Sequence, residues 1–474
     1  MVDVNTIQSV LAKHGQEHLL AFKDSLTPDQ RESLLSQLGE LDFDAMDELI
    51  QTYVKSEPKV EIPKEIAPPE ILPAEPTDDK TRQMYGLARQ FGEQLIREGK
   101  VAAFVVAGGQ GTRLGYNGPK GCLGVTPIKH KSLFQVFAEQ ILGSSRRFGH
   151  AIPWYIMTSP ANDAATRAFF AEHKYFGLPA QDVMFFVQGA MPAIGLDGKL
   201  LLDAPFSLAL SPDGHGGSLT ALARNGALAD MNRRGVEFIS YFQVDNPLVK
   251  CVDPLFIGLH ALAGAEMSAK ALPKREPLEK LGNFCVVDGR VTVIEYSDLP
   301  EALAYATEPD GRLRFRAGSI AIHILSRAFV ERLTAAGRTL LPFHRAIKKV
   351  PYVNPAGQRV EPKEPNAVKL EMFVFDAMPL AAKAVILETS RAEEFSPVKN
   401  ATGSDSLATS MYDQIRRAAN WLKHAGAIIP RDAEGQVACA LEISPLYALD
   451  AVELAQKLPP SLQVMPGQDL YLGE

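Results

Sequence analysis

The sequence predicts an α/β fold with a layered core around a largely parallel sheet, preceded by a helical region. The main observation is that, from Val101 onwards, short apolar runs rich in β-forming residues alternate with helical stretches. A second observation is the composition, in which 46% of the 474 residues are hydrophobic and 22% are charged. This balance is ordinary for a globular protein and supplies enough apolar side chains for a large core.

The N-terminal region is predicted to be helical, with a linker behind it. Across residues 5–55 the apolar side chains recur with a spacing close to that of a helix. Residues 57–77 contain six prolines, which remove backbone donors and disfavour helix, so this segment is predicted to be an extended linker lying on a surface. Asp78 or Asp79 can then cap a helix that runs to about Glu98.

Beyond Val101, each segment is assigned by its period and by its flanking turn residues. The predicted strands are Ala102–Val106, Trp154–Met157, Val183–Val187, Phe238–Gln243, Phe284–Val287 and Val291–Tyr296. The predicted helices are Leu133–Leu142, Asn162–Glu172, Thr220–Arg233 and Pro254–Ala263. The sequence becomes less regular near its end. We therefore expect a helical N-terminal region over residues 1–100, a core over 101–400 and a small C-terminal domain over 401–474.

Charge, hydropathy and cysteine usage exclude several classes of protein. The 49 Lys and Arg residues against 56 Asp and Glu residues give a net charge of −7, which does not indicate a nucleic-acid partner. The apolar run Val101–Ala107 is too short to span a membrane. Residues 1–15 show no charged region followed by an apolar core, so no secretory signal is expected. The four cysteines form no CxxC pair, so neither a disulfide framework nor a structural zinc site is expected. We expect a reduced, cytoplasmic protein without a membrane partner.

The strongest chemical signal is a glycine-rich stretch at the end of the first predicted strand. Residues 105–115 have the sequence VVAGGQGTRLG and are followed by Pro119-Lys120-Gly121. Glycines let backbone N–H groups approach a ligand closely and together form a concave site for an anion. Arg113 and Lys120 add two cations that suit phosphate groups. The stretch therefore predicts binding of a nucleoside triphosphate or a pyrophosphate group.

Walker A and dinucleotide-binding loops match this stretch less well. A Walker A loop requires Gly-Lys followed by Ser or Thr, and Thr112–Leu114 does not supply it. A dinucleotide fingerprint requires GxGxxG and a later acidic residue, but Gly115 comes one residue late and no acid follows at the required distance. A tight turn without a ligand accounts for the glycines alone, and not for Arg113 and Lys120.

The stretch GGQGTRLGYNGPKG resembles the signature of sugar-nucleotide pyrophosphorylases, and further blocks extend the likeness over residues 80–410. The chain is similar in particular to the eukaryotic-type UDP-N-acetylglucosamine (UDP-N-acetylhexosamine) pyrophosphorylases. The blocks within this span are Ile152–Ser159, His173–Gly177, Phe185–Gly189, Asp213–Gly217, Val244–Asn246, Glu295–Ser297 and Phe395–Asn400, and Glu442–Leu446 is a further match near the end of the sequence. The resemblance implies a Rossmann-like nucleotidyltransferase (GT-A-like) domain over residues 101–400, with a helical N-terminal region and a small C-terminal domain.

The resemblance also implies a reaction and the residues that carry it. UTP and a sugar 1-phosphate would give a UDP-sugar and pyrophosphate, by in-line attack of a sugar-phosphate oxygen on the α-phosphorus of UTP. Such a protein must hold two anions together and stabilise charge, without a covalent nucleophile. The residues matched to catalysis are Arg113, Lys120 and Lys399. Those matched to UTP binding are Ala107, Gly108, Gly109, Gln110, Gly111, Lys120, Gln188, Gly214, Asp245 and Lys369.

Asp245 is also the candidate metal ligand. It follows the predicted strand Phe238–Gln243, and a carboxylate at a strand end is well placed to hold Mg²⁺, or Mn²⁺, against phosphate oxygens. An Asx turn before Pro247 is the alternative that the residues alone leave open. Gln188 is likewise either a contact to the uracil, as the resemblance implies, or the cap of a backbone group.

The residues that the resemblance matches to the sugar are His215, Glu295, Tyr296, Ser319 and Lys399. The family pattern has asparagine where His215 and Ser319 stand, so the sequence leaves the sugar open. N-acetylglucosamine 1-phosphate is expected, and a broad enzyme or one for glucose or galactose 1-phosphate is the alternative. A non-catalytic protein that binds nucleotide sugars is a third hypothesis, disfavoured because the charges needed in the transition state are all present. A monomer is expected.

Overall fold

The computed structural model describes residues 4–56, 65–335, 340–459 and 462–474. The helices of these ranges are α1 (Val4–Lys13), α2 (Pro28–Gly39), α3 (Phe43–Ile50), α4 (Asp79–Arg97), α5 (Leu133–Phe148), α6 (Asp163–Glu172), α7 (Gly217–Arg224), α8 (Ala227–Arg234), α9 (Pro254–Ala263), α10 (Glu301–Ala304), α11 (Arg327–Thr334), α12 (Arg391–Glu394), α13 (Leu407–His424) and α14 (Ala451–Lys457). None of the helices in the described ranges is long and apolar enough to cross a membrane.

The strands of the described ranges are β1 (Val101–Val106), β2 (Trp154–Thr158), β3 (Val183–Val187), β4 (Ala190–Pro192), β5 (Ile194–Gly195), β6 (Leu202–Ala204), β7 (Ser207–Leu208), β8 (Leu210–Pro212), β9 (Phe238–Gln243), β10 (Met267–Pro273), β11 (Gly282–Val287), β12 (Arg290–Ile294), β13 (Ala317–Ser326), β14 (His344–Lys348), β15 (Tyr352–Val353), β16 (Arg359–Val360), β17 (Ala367–Glu371), β18 (Ala384–Glu388), β19 (Leu441–Ile443) and β20 (Leu470–Leu472). Every predicted strand overlaps one of these, which confirms the strand assignments.

Contacts between residues divide the described part of the chain into two compact units. The described residues of the smaller unit come from Met1–Ile62, Gly189–Gly217 and Leu341–Val374. Those of the larger unit come from Pro63–Gln188, Ser218–Leu340 and Phe375–Glu474. Each unit therefore combines segments that are far apart in the sequence. The division into residues 1–100, 101–400 and 401–474 stays a prediction.

A central sheet forms the core of the larger unit. Its strands lie in the order β12-β11-β13-β9-β1-β2-β3, and β10 pairs with both β13 and β18. The strands β9, β1, β2 and β3 are parallel, with Val106 of β1 opposite both Met157 and Gln243. This α/β architecture with a parallel centre confirms the predicted fold class. Because these strands are parallel, their carboxyl ends meet at one edge of the sheet.

Helices cover the parallel strands, so the strands are apolar on both faces. Residues 101–105 of β1 are buried, as expected of a parallel strand between helical layers. The covering helix α5 begins after Ser132, whose hydroxyl caps it. Phe134 of α5 packs against Trp154 and Phe170, with ring centroids 6.3 and 5.0 Å apart. The loops that follow the carboxyl ends of these strands are therefore attached to a rigid, densely packed layer.

The structure corrects the sequence analysis at several elements. The predicted helix Thr220–Arg233 is two helices, α7 and α8, because Gly226 interrupts it with a φ of +77°. The predicted strand Val291–Tyr296 ends sooner, with β12, which leaves Glu295 and Tyr296 beyond the strand. The sequence analysis also misses β10, β13 and β18, which extend the parallel centre with mixed pairing.

The smaller unit has a hydrophobic core of its own. The helices α1, α2 and α3 confirm the predicted helical N-terminal region. They pack against strands from two later parts of the chain, and the buried residues include Leu11, Leu34, Leu38, Val368 and Leu370. The strands β14, β17 and β5 form a sheet in that order. The N-terminal helices therefore complete their core with residues that the sequence places far away.

The described part of the proline-rich segment, residues 65–77, belongs to the larger unit and is extended. Ala67 exchanges backbone hydrogen bonds of 3.1 and 2.8 Å with β11. Leu72 donates to β18 at 2.9 Å and accepts from it at 2.8 Å. These bonds confirm an extended segment lying on a surface for this part, and residues 57–64 lie outside the described residues.

The helices α4 and α9 of the larger unit cross in direct backbone contact. A β-carbon on Gly92 would collide with the backbone of Pro254, and one on Gly258 would collide with the backbone of Ala88. The crossing therefore requires glycine at both positions. Gly86 lies on the same helix α4, but a β-carbon there would meet open space.

We expect Gly92→Ala to destabilise the protein and Gly86→Ala to stabilise it. The methyl group at position 92 must push the two helices apart, which costs about 1–3 kcal/mol. At position 86 the same change removes only the backbone freedom of an exposed helical glycine, a gain of about 0.5–1 kcal/mol. Urea unfolding of both variants beside the wild type measures the difference. Equal stability of the two variants would contradict the direct helix crossing.

Candidate active site

Most of the predicted site residues of the larger unit lie at the carboxyl ends of the parallel strands. The glycine-rich loop follows β1, and Ser159 follows β2. Gln188 follows β3, and Asp245 comes shortly after β9. Ligands of open α/β sheets bind beyond this edge, because the loops and free backbone groups of neighbouring strands converge there. Parallel pairing thus brings together residues that are far apart in the sequence.

The glycine-rich loop turns back on itself after β1. The Gly111 N–H donates to the Gly118 carbonyl at 2.9 Å, and the Lys120 N–H donates to the Gly109 carbonyl at 3.1 Å. A short 3-10 turn between them ends at Gly115 with a φ of +71°, a conformation that favours glycine. The turn places Lys120 alongside Gly109, eleven residues earlier in the sequence.

Gly108 lies directly against the side chain of Gln188. A β-carbon on Gly108 would collide with the amide oxygen of Gln188. Gln188 is buried, and its N–H donates to the Thr158 carbonyl at 2.9 Å. Ala107, at the start of the loop, donates to the Met157 carbonyl at 2.8 Å. The structure thus brings the predicted uracil contact and the predicted UTP-binding loop together.

Asn162 holds this corner of the sheet in place. Its side-chain N–H groups donate to the carbonyls of Ala107 at 2.9 Å and Gly109 at 3.3 Å. Its side-chain oxygen accepts from the Ser159 N–H at 2.8 Å. The sequence analysis assigns Asn162 only to the start of a helix. A buried asparagine that bridges two loops leaves no periodic signal, so sequence reasoning misses it.

Charged side chains meet in the larger unit beside this loop. Burial is the main cause that lowers the pKa of Lys120; Asp245 opposes the shift, and Lys399 and Arg113 add to it. The Nζ of Lys399 lies 3.9 Å from Oδ2 of Asp245. Three cations and one carboxylate form a region suited to a polyphosphate. Burial raises the pKa of the Cys122 thiol to about 12, so this cysteine is not a reactive nucleophile.

Hydrogen bonds fix Asp245 and Lys399 relative to each other. The Val398 N–H donates to the Asp245 carbonyl at 2.8 Å. The side chain of Asn246 accepts from the Ser396 N–H at 3.0 Å and donates to a backbone carbonyl of α12 at 2.6 Å. Sequence reasoning names Asp245 and Lys399 but assigns no role to Asn246, because its bond to Ser396 joins residues 150 positions apart.

A buried ion cluster anchors the same segment. The carboxylate of Glu394 contacts the ammonium groups of Lys270 and Lys250 and accepts from the Thr389 hydroxyl at 2.8 Å. Lys270 also lies 2.6 Å from Oδ2 of Asp253. Burial raises the pKa of Glu394, but Lys270 and Lys250 outweigh it and hold that pKa below its usual range. These ion pairs fix Glu394 at the start of the segment that leads to Lys399, the predicted contact to the sugar phosphate.

The predicted sugar-side residues of the larger unit also lie close together. A β-carbon on Gly282 would be 3.5 Å from Oε1 of Glu295 and 3.8 Å from Cβ of Ser319. Tyr296 follows Glu295 and is 41% exposed. Because β13 runs antiparallel to β9, its early residue Ser319 lies towards the carboxyl end of β9. These residues therefore share the sheet edge at which the larger unit presents its charged residues.

The smaller unit holds the remaining predicted residues, Gly214, His215 and Lys369. The turn with Gly214 lies along the backbone that follows β17, where the Met372 N–H donates to the Asp213 carbonyl at 2.8 Å. Gly214 has a φ of +82°, and a β-carbon there would collide with the backbone of Met372. Lys369 is a residue of β17 itself. Within this unit, the second glycine turn and the predicted UTP-contacting lysine therefore lie on neighbouring backbone.

The imidazole of His215 has a structural contact within the smaller unit. Its Nδ1 accepts from the Val374 N–H at 3.1 Å, and its ring stacks on Phe373 with centroids 5.2 Å apart. Burial, with a smaller contribution from His344, lowers the pKa of His215 to about 4. The ring is therefore neutral at pH 7 and carries its proton on Nε2. A role of His215 towards the sugar stays a prediction.

The comparisons with known proteins agree with this geometry. The family model described as UTP--glucose-1-phosphate uridylyltransferase matches residues 46–423. The chain is 37% identical to the UDP-N-acetylhexosamine pyrophosphorylase-like protein 1 of Homo sapiens, over 94% of this chain and 93% of that protein. It is 37% identical to the UDP-N-acetylglucosamine pyrophosphorylase of Saccharomyces cerevisiae, over 88% of this chain and 90% of that protein.

A solved structure shows the same fold. The crystal structure of the uridine diphosphate N-acetylglucosamine pyrophosphorylase from Trypanosoma brucei in complex with inhibitor has a TM-score of 0.81 to this protein. The sequence identity is 25%, and 98% of each chain is covered. The comparisons confirm the family that the sequence motifs indicate. The chain belongs to the UTP--glucose-1-phosphate uridylyltransferase family.

Proposed function

We propose that this protein transfers the uridylyl group of UTP to N-acetylglucosamine 1-phosphate. A phosphate oxygen of the sugar 1-phosphate forms a bond to the α-phosphorus of UTP, and the bond from that phosphorus to the bridging oxygen of pyrophosphate breaks. The products are UDP-N-acetylglucosamine and pyrophosphate. The observation that carries the proposal is the set of Lys120, Arg113, Lys399 and Asp245, which interact beside a glycine-rich loop at the sheet edge.

Each part of this set has a task in such a transfer. The N–H groups of the glycine-rich loop and the cations Arg113 and Lys120 bind the triphosphate and neutralise the charge of the leaving pyrophosphate. Lys399 binds the phosphate of the sugar and holds its oxygen in line with the α-phosphorus. No side chain forms a covalent bond to the substrate. The hydrogen bonds of Asn246 and Asn162 keep these groups in position before substrate arrives.

A divalent cation, Mg²⁺ or alternatively Mn²⁺, is part of the proposal. Among the described residues, no group of three or more His, Cys, Asp or Glu side chains could hold a metal ion on its own. The single carboxylate of Asp245 nevertheless fits Mg²⁺, which proteins bind through one or two carboxylates together with substrate phosphates and water. When bound there, Mg²⁺ would supply positive charge to the phosphate oxygens.

The choice of sugar rests on the relatives rather than on the sugar-side residues. The two relatives that are 37% identical carry names for N-acetylhexosamine or N-acetylglucosamine enzymes, which favours an N-acetylated sugar. Glucose or galactose 1-phosphate is the second candidate, because His215 and Ser319 stand where the family pattern has asparagine. A monomeric and cytoplasmic enzyme without a nucleic-acid partner stays a prediction.

Pyrophosphate release tests the proposed function. The purified protein is given UTP and Mg²⁺ with, separately, the 1-phosphates of N-acetylglucosamine, N-acetylgalactosamine, glucose and galactose. We expect the highest kcat/KM with N-acetylglucosamine 1-phosphate. Preference for glucose or galactose 1-phosphate would replace the sugar in the proposal, and no release with any of the four would overturn the transferase itself. The double variant His215→Asn, Ser319→Asn shows whether these positions change the ratio.

A further inference from the structure

We propose that the hydroxyl group of Ser159 binds the uracil ring of UTP. This assignment adds a base-binding residue to the proposed function and rests on that function. Ser159 is outside the set of residues that the sequence motifs match to UTP. It is the first residue after β2, the strand between β1 and β3. It therefore lies between the loop with Gly108, after β1, and Gln188, after β3.

The position of Ser159 points to the base-binding part of the site. Its Cβ would lie 3.4 Å from a β-carbon on Gly108, and that β-carbon would also collide with the amide oxygen of Gln188. Ser159 and Gln188 thus share the space in front of Gly108. Both side chains combine a donor with acceptors, which matches the N–H and carbonyl groups on the edge of uracil. The cations that suit phosphates, Arg113 and Lys120, come later in the stretch that follows β1.

The backbone of Ser159 is fixed by its neighbours. Its N–H donates to Oδ1 of Asn162 at 2.8 Å, and its carbonyl accepts from the N–H groups of Asn162 and Asp163, both at 3.0 Å. Asn162 in turn bonds to the loop that contains Gly108. The hydroxyl group is therefore presented from a rigid turn, and its location follows from the fold.

The hydroxyl oxygen of Ser159 is buried but unpaired. The residue is 3% exposed, and its Oγ has no hydrogen-bond partner within the described ranges 4–56, 65–335, 340–459 and 462–474. A buried polar group without a partner destabilises a fold, and such groups in native proteins have a specific reason. A bound base that pairs with this oxygen supplies that reason, because the hydroxyl is then satisfied in the working complex.

Ser159→Ala tests the assignment, with Thr166→Val as the matched control. The hydroxyl of Thr166 is also fully buried and without a described partner, but Thr166 lies on the helix α6. Neither change removes a hydrogen bond within the protein, so we expect both variants to fold with an unchanged or raised Tm. Calorimetric titration of the 474-residue chain with UTP and with UMP then measures the dissociation constants.

We expect Ser159→Ala to raise the Kd of UTP and of UMP by about 5- to 10-fold, the effect of one lost hydrogen bond. Thr166→Val leaves both constants unchanged. In the reverse reaction, the KM of UDP-N-acetylglucosamine rises in Ser159→Ala, whereas the KM of pyrophosphate, which has no base, stays the same. A twofold or smaller change in the Kd of UMP would overturn the assignment. A raised KM of pyrophosphate would overturn it as well, because the hydroxyl would then act on phosphate.

The binding measurements separate this assignment from the proposed function. If the wild type binds UTP and UMP but releases no pyrophosphate with any sugar 1-phosphate, the transferase proposal fails. The effect of Ser159→Ala on the Kd of UMP still decides the role of the hydroxyl in that case. If turnover is normal and Ser159→Ala binds UMP as the wild type does, the transferase stands and the Ser159 assignment falls.

Discussion

Asp245→Asn is expected to lower kcat by about 100- to 1,000-fold while the fold is kept, a loss of about 3–4 kcal/mol of transition-state stabilisation. The substitution preserves the size of the side chain but removes the carboxylate that interacts with Lys120 and Lys399. In the proposed function this carboxylate would also hold the divalent cation against the phosphates. Rates of pyrophosphate release over a Mg²⁺ titration measure the effect.

The control for this variant is Asp469→Asn, which makes the same charge change at an exposed position. We expect it to have wild-type activity. Asp245 raises the pKa of Lys120, so its removal should lower that pKa further. The residual activity of Asp245→Asn should therefore decline at a lower pH on the alkaline side than that of the wild type. Full activity of Asp245→Asn with an unchanged Mg²⁺ dependence would remove Asp245 from the metal site.

Lys120→Met is expected to lower kcat/KM by about 100- to 1,000-fold. The side chain is partly buried beside Arg113 and Lys399, and methionine keeps its length while removing the charge. Positive charge placed where the pyrophosphate leaves stabilises the transition state, and it does so more strongly from a partly buried side chain than from a fully solvated one. Steady-state kinetics with UTP varied at saturating sugar 1-phosphate provide the measurement. The KM of UTP should rise together with the fall in kcat.

Lys383→Met is the control for Lys120→Met, because Lys383 is an exposed lysine of the same unit. It should behave as the wild type. Burial lowers the pKa of Lys120, so the wild-type enzyme should lose activity at alkaline pH below the range of an ordinary lysine. That loss should be missing from the residual activity of Lys120→Met. Activity within threefold of the wild type would exclude Lys120 from the transfer step.

The glycine-rich loop illustrates what a sequence can establish. Its glycines, Arg113 and Lys120 are within fifteen residues of one another, and β1 before them is a continuous apolar run. Local spacing therefore contains most of the information about this loop. The structure confirms that its two ends lie side by side. The local sequence is therefore enough to predict that a loop follows a strand here and that this loop binds phosphate. No knowledge of tertiary contacts is needed.

The positioning residues show the opposite case. Asn162 and Asn246 act through bonds to backbone groups of distant segments, and Ser159 is notable only because its buried hydroxyl lies beside Gly108. Ser159 and Asn246 stand in blocks that resemble the family, but the sequence assigns no role to any of the three. Their roles depend on which loops the sheet places next to each other.

His215 combines both lessons. The sequence motif marks it as a departure from the family pattern, and only the structure shows that its Nδ1 bonds to the Val374 N–H and that its ring stacks on Phe373. The strand β10 escapes sequence analysis for a similar reason. It contains Lys270, whose charge is paired with Asp253 and Glu394 in the interior, and these contacts have no local signature in the sequence.

By itself, the sequence predicted the fold class and a phosphate-binding role for the glycine-rich loop with Arg113 and Lys120, because these depend on the periodicity and spacing of neighbouring residues. Asp245 and Lys399 were predicted through the resemblance to a known family. The tertiary structure alone decided that Gly108 lies against Gln188, that Asp245 lies beside Lys399, and which polar groups hold them. The parallel order β1-β2-β3 sets the first relation, and the hydrogen bonds of Asp245 and Asn246 to residues 394–398 set the second. The order of the strands arises from the packing of the whole core. The sequence around each site residue does not specify that order.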